Sequence, residues 1–587
     1  MVAALMLMGG LLYLLPFVSR GWIPHDEGMI GQAAERVLAG GLPHVDYQES
    51  YTGGLTWLYA ALFALTDVDL VNVRWLLFAA ASVSIWFVYS ILRRYLTPIA
   101  AAIAALVALA WSFPNYFAGL PSWWVLLCAL LCLWTVIRHT ETGLLRYVVV
   151  AGLAAGIGIV IKQTGVYLFI ALCMSLMFGT DERKQTSALP RYFNPLFRLG
   201  LSACALLFAV FVMRSRLHAA EVIYLLLPIA VVSLTLVWSD DSRAGLFGGS
   251  LAGIAVAGLC AAVPLAILLT PYIVQGNVSQ FINGAILLPQ KRLTFASRPM
   301  PSAGLLVLGV GMAAMMFPRR RSSADASVLD PLRWQLALTL PIVSLWSFPI
   351  YQFIWQSTRT IAAFLPILVL WLLASHRILD AGRRQVLFAS SSMLAWASLV
   401  QFPFAAPIYF CYVAPLAVIV GVAAASAASW TRRPVVGPWV LLLLLFAGLS
   451  MHRGYIYNLG VYHEPQKLDV PLRLTRAHLR VSADHARIYG RVHELLERHL
   501  HGQELIAGPD SPEIHFLAGR FSPSGSMFDF FSREADMLRL RDDSRGSVLV
   551  LNHEPAFSPA PSPDLVADMR RRWPVGERVG HFEVRWR

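Results

Sequence analysis

Apolar stretches separated by short polar segments occupy the first 450 residues of the chain. Each stretch is roughly 15–25 residues long, which is enough for a helix to cross a hydrocarbon core of about 30 Å. Because a backbone in lipid must satisfy its own hydrogen bonds, the pattern predicts a polytopic, mainly α-helical membrane bundle. The predicted spans lie at approximately 2–18, 72–91, 98–113, 122–137, 146–161, 164–179, 198–213, 219–237, 244–270, 302–317, 333–349, 360–374, 386–401, 407–427 and 436–450.

The first stretch, 2–18, has neither a basic start nor a small-residue cleavage site, which indicates a retained helix and not a signal peptide. A long polar segment, 20–71, follows it. With about fifteen spans, an odd number, the two termini are expected on opposite sides of the membrane.

Composition agrees with a membrane protein, since 57% of residues are hydrophobic and 14% are charged, against about 25% charged in soluble domains. The net charge of +13 does not indicate nucleic-acid binding, because residues 451–587 hold 19 Lys and Arg against 18 Asp and Glu. The basic excess lies in short loops between spans, where it fixes orientation.

The basic loops all fall on one side in this span count, and the positive-inside rule makes that side cytoplasmic. They contain Arg93-Arg94, Arg138, Arg183-Lys184, Arg319-Arg320-Arg321, Arg383-Arg384 and Arg432-Arg433. The outer side is expected to receive the segments 20–71, 114–121, 271–301, 350–359 and 402–406, and the whole tail. Arg214 and Arg216 are exceptions, beside the weak span at 198–213.

The tail, 451–587, is predicted to be a soluble extracytoplasmic α/β domain that follows a membrane domain at 1–450. Residues 476–500 carry an apolar stripe at helical spacing. Strand-like runs at Glu504–Ala507, Ser547–Leu551 and His581–Trp586 alternate with helical runs at Pro512–Leu517, Arg533–Leu540 and Leu565–Arg572. Such alternation favours an open sheet covered by helices.

The segment 20–71 contains the clearest candidate chemistry. Asp26 and Glu27 are adjacent carboxylates at the start of a helical run, and Asp46 follows a Gly-Gly-Leu-Pro turn. Carboxylates at a membrane surface suit a substrate or a cation. They also suit a purely structural role, because a helix dipole stabilises negative charge at its N-terminus and Asp46 is suited to a turn.

These features, with an apolar helix at Leu55–Leu65, resemble the protein O-mannosyltransferase and aminoarabinose-transferase group of bacterial GT-C glycosyltransferases. The glycine-rich run Ala151–Gly165, which contains Lys162, is similar to a span of that group, and so is Arg359 at the start of a helix containing Pro366. The tail stretch Gly508–Arg520 is similar to the extracytoplasmic domain of bacterial relatives. The resemblance covers most of the chain in order.

The resemblance implies an inverting enzyme of the bacterial inner membrane that transfers a sugar from a polyprenyl-phosphate donor to a hydroxyl on a glycan, lipid or protein acceptor. The acceptor hydroxyl needs a carboxylate to take its proton, and Asp26 is the predicted base, with Glu27 as its partner. The phosphate leaving group needs charge neutralisation. The candidate cations are Lys162, Lys291, Arg292, Arg298 and Arg359.

The sequence departs from the GT-C pattern in the loop between the third and fourth spans, where many of these enzymes have a second acidic residue. This loop has no carboxylate, and Asn115 and Tyr116 are its candidate substrate-binding side chains. A divalent-metal site with two carboxylates would therefore need Asp46 or Glu49 as a ligand, and the sequence leaves the use of a metal open.

Two other classes of membrane protein fit part of the pattern. A transporter would place ionisable residues at the midplane within broken helices, whereas the polar residues here lie mostly at span ends. Another lipid-linked-glycan enzyme, such as a ligase or a polymerase, would share the outer basic loops.

Overall fold

The structure is a computed structural model. It describes residues 1–178, 193–238, 247–291, 298–301, 348–375, 381–427, 455–456, 466–502, 504–523, 525–527 and 548–587. The predicted spans 302–317 and 436–450, most of 333–349 and the helical run Arg533–Leu540 lie outside these residues.

Helices make up most of the described chain. They are α1 (Val2–Ser19), α2 (Pro24–Leu38), α3 (Gly54–Leu65), α4 (Leu70–Leu92), α5 (Pro98–Ala110), α6 (Pro121–Thr142), α7 (Arg146–Ile161), α8 (Val166–Phe178), α9 (Phe193–Met213), α10 (Ala219–Glu221), α11 (Leu227–Trp238), α12 (Phe247–Val274), α13 (Val278–Ile282), α14 (Phe348–Ser375), α15 (Ala381–Ala397), α16 (Pro407–Cys411), α17 (Ala414–Ala427), α18 (Ala483–His499), α19 (Pro512–Leu517) and α20 (Pro563–Arg572). Short 3-10 turns lie at Phe113–Tyr116, Gln163–Gly165, Leu288–Lys291 and Ser398–Gln401, and π turns at Val222–Leu226 and Asn283–Leu287.

The predicted mainly helical membrane bundle is confirmed for the described residues. Seven helical segments there are long and apolar enough to cross a membrane, and the chain is a multi-spanning membrane protein. Apolar helices also stand at the shorter predicted positions, among them α7, α8 and α17. The count of about fifteen is tested only in part.

The glycine-rich helix α7 packs between α6 and α12. A Cβ atom on Gly152 or Gly156 would lie 2.5 Å or 2.4 Å from a carbonyl oxygen of α12, at Ala257 and Ala261 respectively. Small residues let membrane helices approach closely, so these glycines bring α7 against α12. They thereby fix the end of α7, which Lys162 follows.

The tail contains the predicted sheet. Its strands are β1 (Tyr455–Ile456), β2 (Gln466–Lys467), β3 (Val470–Pro471), β4 (Arg480–Val481), β5 (Leu505–Gly508), β6 (Val548–Asn552), β7 (Val575–Val579) and β8 (Phe582–Trp586). The largest sheet has the order β5-β6-β8-β7, with β5 parallel to β6 and the other pairs antiparallel. Helix α20 covers one face through a cluster containing Leu565, Met569 and Trp573, and α18 contacts β7 and β8.

The tail packs directly on α2 of the first polar segment. A Cβ atom on Gly28 would lie 2.3 Å from the Cα of Glu513 in α19, and one on Gly31 would lie 2.5 Å from the Phe516 ring. Two glycines three residues apart form one flat stripe on a helix, and α19 lies in it. The tail and the segment 20–71 are therefore on the same side of the membrane bundle.

Candidate active site

Asp26 lies in the first turn of α2, which begins at Pro24. The Tyr116 hydroxyl donates to Asp26 Oδ2 at 2.5 Å, and His25 Nε2 lies 3.9 Å from the same oxygen. The Asp26 side chain is 13% exposed, so it is largely buried but still accessible to solvent. A carboxylate held in this way is available to accept a further proton.

Glu27 has a different environment, because it is fully buried. Arg74 of α4 donates to its two oxygens, Nε to Oε1 and Nη2 to Oε2, each at 2.7 Å. The backbone N–H of Ile23 donates to Oε2 at 2.9 Å. Arg74 also donates to the Arg20 carbonyl. The predicted role of Glu27 as a partner of Asp26 therefore takes an indirect form: Glu27 anchors the start of α2 to α4 and so fixes the position of Asp26.

Tyr116 and Asn115 stand in the 3-10 turn between α5 and α6, and their side chains have different partners. Tyr116 reaches Asp26, as described. The Asn115 amide donates to the carbonyls of Ala110 and Ser112, each at 3.2 Å, and so closes the C-terminal end of α5. The structure thus brings one of these two predicted substrate-binding residues to the site and gives the other a backbone role.

Asp46 and Glu49 both bind backbone N–H groups of their own loop. Asp46 Oδ2 accepts from Leu42 N at 2.6 Å, which closes the turn. Glu49 is 3% exposed and accepts from the backbone of Ser50 and Tyr51 and from the Thr56 hydroxyl. Burial raises the pKa of Glu49. Both carboxylates therefore shape the loop 42–56, as the structural interpretation of Asp46 expects.

Lys162 follows α7 and points into an aromatic cleft. Its ammonium donates to Ser122 Oγ at 2.8 Å and lies 5.4 Å from the Tyr51 ring centre and 5.7 Å from that of Tyr409. The Lys162 residue is 8% exposed. A lysine whose side chain only extended to the membrane surface would hold its ammonium in water. The burial of Lys162 therefore indicates another role for its ammonium.

The cleft at Lys162 continues towards Asp26 through tyrosines. The Tyr409 and Tyr412 rings are 5.8 Å apart. The Tyr412 ring lies 4.5 Å from the Trp123 ring, and Trp123 Nε1 donates to the Tyr116 carbonyl at 3.0 Å. Because the Tyr116 hydroxyl reaches Asp26, a chain of aromatic residues connects the candidate base to a buried cation.

Arg359 is 2% exposed in α14 and has only neutral acceptors among the described residues. It donates to Gln401 Oε1 at 3.0 Å, to the Ala405 carbonyl at 2.9 Å and to Met300 Sδ at 3.6 Å. Arg298 is held nearby through backbone hydrogen bonds to Pro403 and Ala405. A buried guanidinium without a described carboxylate partner is suited to an anion. Lys291 ends a short 3-10 turn, and Arg292 lies outside the described residues.

The sequence pattern did not identify Arg74, Tyr51, Tyr409 or Tyr412. Arg74 carried a usable signal, because it is a lone charge in an otherwise apolar span, and such residues pair with an opposite charge. The tyrosines carried no such signal, since aromatic residues are expected at any membrane boundary. Tyr51 and Trp123 are nevertheless buried in the structure.

The described residues around Asp26 do not form a two-carboxylate metal site. No group of three His, Cys, Asp or Glu side chains comes together in the described ranges. Glu27 is paired with Arg74, and Asp46 and Glu49 bind the backbone of their own loop.

Comparison with known proteins gives a family match for part of this chain. Residues 54–197 match the family described as dolichyl-phosphate-mannose-protein mannosyltransferase. The match confirms the predicted resemblance from α3 to the start of α9, a region that includes Tyr116 and Lys162. Asp26 lies N-terminal to the matched segment. No protein of curated function matches the chain.

Alignments with solved structures cover nearly the whole chain, at low identity and with low TM-scores. The crystal structure of ArnT from Cupriavidus metallidurans bound to undecaprenyl phosphate is 13% identical, with a TM-score of 0.37, and the alignment covers 99% of this chain and 97% of that one. The apo oligosaccharyltransferase from Archaeoglobus fulgidus is 12% identical, with a TM-score of 0.36, and the alignment covers 94% and 70% of the two chains.

Proposed function

We propose that this chain is an inverting glycosyltransferase that moves a sugar from a polyprenyl-phosphate donor to an acceptor hydroxyl at the outer face of the bacterial cytoplasmic membrane. The observation that carries the proposal is that the protein holds a partly exposed carboxylate, Asp26, and two buried cations, Lys162 and Arg359. The family match supports the donor class, since the family is named for transfer from a lipid-phosphate-linked sugar.

In this proposal Asp26 is the general base. Its free oxygen accepts the proton of the acceptor hydroxyl while the acceptor oxygen bonds to the anomeric carbon. The bond from that carbon to the phosphate oxygen breaks, and its electron pair leaves with the phosphate. Attack opposite the leaving group inverts the anomeric centre. Tyr116 holds the carboxylate, and the Glu27–Arg74 pair fixes the turn that carries it.

The leaving phosphate is assigned to Lys162 and to Arg359 with Arg298. A dianionic leaving group is best stabilised by cations that are already in place in a site of low dielectric. Lys162 is held by Ser122 and two aromatic faces, and Arg359 by Gln401 and Ala405. These positions need no rearrangement of the cations before the phosphate arrives.

Substitution of Asp26 by Asn tests the base. Asn has nearly the same shape and still accepts from Tyr116, so thermal stability is expected to stay near that of the wild type. Loss of a general base lowers the rate by about 10²–10⁴-fold. The measurement is transfer from a polyprenyl-phosphate sugar by the purified protein. Turnover close to wild type in a stable Asp26→Asn variant would exclude Asp26 as the base.

We also propose that the tail lies outside the cytoplasm. The support is that α19 packs on α2 in the segment 20–71, which the basic loops assign to the outer side. A reporter that is active only in the cytoplasm, fused after Arg587, is expected to be silent, and the same reporter fused after Thr142 is expected to be active. Activity of the Arg587 fusion would reverse the orientation.

A further inference from the structure

Helix α7 ends immediately before the candidate cation Lys162. The helix spans Arg146–Ile161, and Lys162 itself has an extended backbone. A 3-10 turn, Gln163–Gly165, then leads into α8. The last carbonyls of a helix have no N–H donor in a following turn of the same helix. The direction in which Lys162 leaves α7 therefore depends on the groups that bind the carbonyls at this end.

The Thr52 side chain binds two carbonyls of this last turn from outside the helix. Its hydroxyl lies 3.0 Å from the Ile159 carbonyl oxygen and 2.6 Å from the Val160 carbonyl oxygen, and it shares its single proton between them. Thr52 is 6% exposed, and leaving a buried acceptor without its donor costs free energy. The hydroxyl therefore ties the end of α7 to the loop that precedes α3.

Backbone packing brings the same two segments together. Gly54 is the first residue of α3. A Cβ atom on Gly54 would lie 2.2 Å from Val160 Cγ1 and 2.5 Å from the Val160 carbonyl oxygen, so the start of α3 lies directly against the last turn of α7. This close approach is independent of the Thr52 hydrogen bonds and places the same loop at the same helix end.

The loop that contains Thr52 is itself fixed by Glu49. Glu49 Oε1 accepts from the backbone N–H of Ser50 at 2.8 Å and from that of Tyr51 at 3.2 Å. Its Oε2 accepts from the Thr56 hydroxyl at 2.7 Å. Because Thr52 directly follows Tyr51, its backbone leaves an anchored position. The Thr52 hydroxyl is therefore a fixed support for the carbonyls of α7.

The same loop also contacts the Lys162 ammonium. The centre of the Tyr51 ring lies 5.4 Å from Lys162 Nζ, and Ser122 Oγ accepts from that ammonium at 2.8 Å. Tyr51 and Thr52 are consecutive residues. One of them faces the tip of the lysine side chain, and the other holds the helix end from which the lysine backbone leaves. The position of the ammonium therefore depends on this loop.

We propose that Thr52 is a positioning residue for Lys162: its hydroxyl fixes the end of α7 and so holds the Lys162 ammonium in place for the phosphate of a lipid phosphate ester. The inference rests on the proposed function, in which Lys162 binds the leaving phosphate of the donor. Thr52 acts through the backbone of α7. Loss of its hydroxyl is expected to weaken recognition of the phosphate and to leave recognition of the lipid chain unchanged.

The test compares binding of geranylgeranyl phosphate with binding of geranylgeraniol, the same lipid without the phosphate. Both dissociation constants are measured by titration of the purified protein in one detergent, and their ratio gives the preference for the phosphate. Thr52→Val removes the hydroxyl, and Thr52→Ser keeps it. Thr135→Val is the matched control, because the buried Thr135 hydroxyl also donates to two carbonyls, those of Leu131 at 2.8 Å and Cys132 at 2.9 Å, but within its own helix.

Thr52→Val and Thr135→Val are both expected to melt a few degrees below wild type, since each loses a buried hydrogen-bond donor. Only Thr52→Val is expected to lower the preference for the phosphate, by about tenfold, and Thr52→Ser is expected to restore it. An unchanged preference in folded Thr52→Val, or an equal loss in Thr135→Val, would overturn the inference.

Thr52→Cys provides a second variant in case Thr52→Val does not fold. A thiol is a weak donor, so the preference for the phosphate is expected to fall by about threefold. A preference equal to that of wild type in Thr52→Cys would then count against the inference in the same way.

A double-mutant cycle tests whether Thr52 acts through Lys162. Lys162→Gln is expected to remove most of the preference for the phosphate, and Thr52→Val added to it is expected to cause no further loss. Additive losses, or a preference that Lys162→Gln retains, would overturn the inference.

Failure of the proposed function gives a different result. A wild type that binds the phosphate no better than the alcohol would overturn the proposed donor class, and the inference with it. A wild type that prefers the phosphate, together with a folded Thr52→Val variant that keeps this preference, would overturn the inference and leave the proposed function intact.

Discussion

Asp26 and Glu27 are neighbours in the chain but differ in every contact that the structure gives them. Glu27 accepts two hydrogen bonds from Arg74 and one from the backbone N–H of Ile23, so its charge is balanced inside the protein. Asp26 accepts a hydrogen bond from one donor among the described residues, the Tyr116 hydroxyl, and its side chain is partly exposed to solvent. A difference of one position along α2 therefore separates a fixed anchor from a carboxylate that can take up a proton.

Replacement of Tyr116 by Phe tests the orientation of Asp26. The change removes one hydroxyl, so we expect turnover to fall about tenfold or more, since hydrogen bonds to charged groups contribute about 1.5–3 kcal/mol. The measurement is kcat with the polyprenyl-phosphate donor. Tyr59→Phe is the matched control, because the Tyr59 hydroxyl is also buried but donates to the Gly119 carbonyl. Equal effects of the two variants would mean that Tyr116 acts only through the fold.

Sequence patterns identified the residues of this site unevenly. Asp26, Lys162 and Arg359 stood out because each is ionisable at the edge of an apolar stretch. Asn115 stood out as a polar side chain in a loop between spans, and Asp46 as a carboxylate after a Gly-Gly-Leu-Pro turn. In the structure both side chains bind nearby backbone groups. Whether a polar side chain faces a substrate or closes a turn depends on backbone geometry, and residue type alone does not give that geometry.

At the scale of elements, the continuous runs of hydrophobic residues predicted the membrane helices well. Lipid and protein interior are both apolar, so a span is visible as a continuous run, and α1, α4 and α7 start and end close to their predicted limits. The tail strands β5, β6 and β8 and the helix α19 also lie where the pattern placed them. The pattern did not give their partners, because pairing between distant segments leaves no local period.

Gly28 and Gly31 form the flat face of α2 on which α19 packs. Gly28→Ala would place a Cβ 2.3 Å from the Glu513 backbone, and such overpacking typically costs about 1–3 kcal/mol. We expect lower thermal stability, faster protease cleavage of the tail and reduced transfer. Gly490→Ala in α18 is the control, since its Cβ would meet nothing within 4 Å. Wild-type protease resistance of Gly28→Ala would show that α19 does not need this close contact.

At the scale of the whole molecule, the contact between tail and bundle buries ionisable groups. Glu513 is 2% exposed, and burial raises its pKa to about 8. His515 lies in the same short helix, and burial lowers its pKa to about 4. Both side chains are therefore favoured in their neutral forms by the folded state, and the stability of the contact depends on pH.

The sign of that dependence differs between the two groups. The folded protein keeps a proton on Glu513 that the unfolded chain releases near pH 4.5, so this contribution to stability is complete below that value and is lost as the pH rises through about 8. The contribution of His515 is present above about pH 6.5 and is lost as the pH falls through about 4. Above neutral pH only the Glu513 contribution changes.

Glu513→Gln isolates this effect, because Gln stays neutral at every pH. Between about pH 7 and about pH 9 we expect the melting temperature of the wild type to fall by a few degrees more than that of Glu513→Gln. Thermal unfolding of both proteins in the same detergent, at both pH values, gives the comparison. Parallel changes in the two proteins would mean that Glu513 is already ionised in the folded state.

The glycine stripe on α2 also limits how such a protein can be recombined. A tail taken from another protein of this fold would bring its own α19, whose backbone must meet the first helix of the outer segment at the distance that Gly28 and Gly31 set. The side chains Gln32 and Arg36 donate to tail carbonyls at Arg520 and Ser522, so they too belong to the junction. A chimera that exchanges the tail alone would therefore join two surfaces that do not match, whereas one that exchanges α2 together with the tail keeps the junction intact.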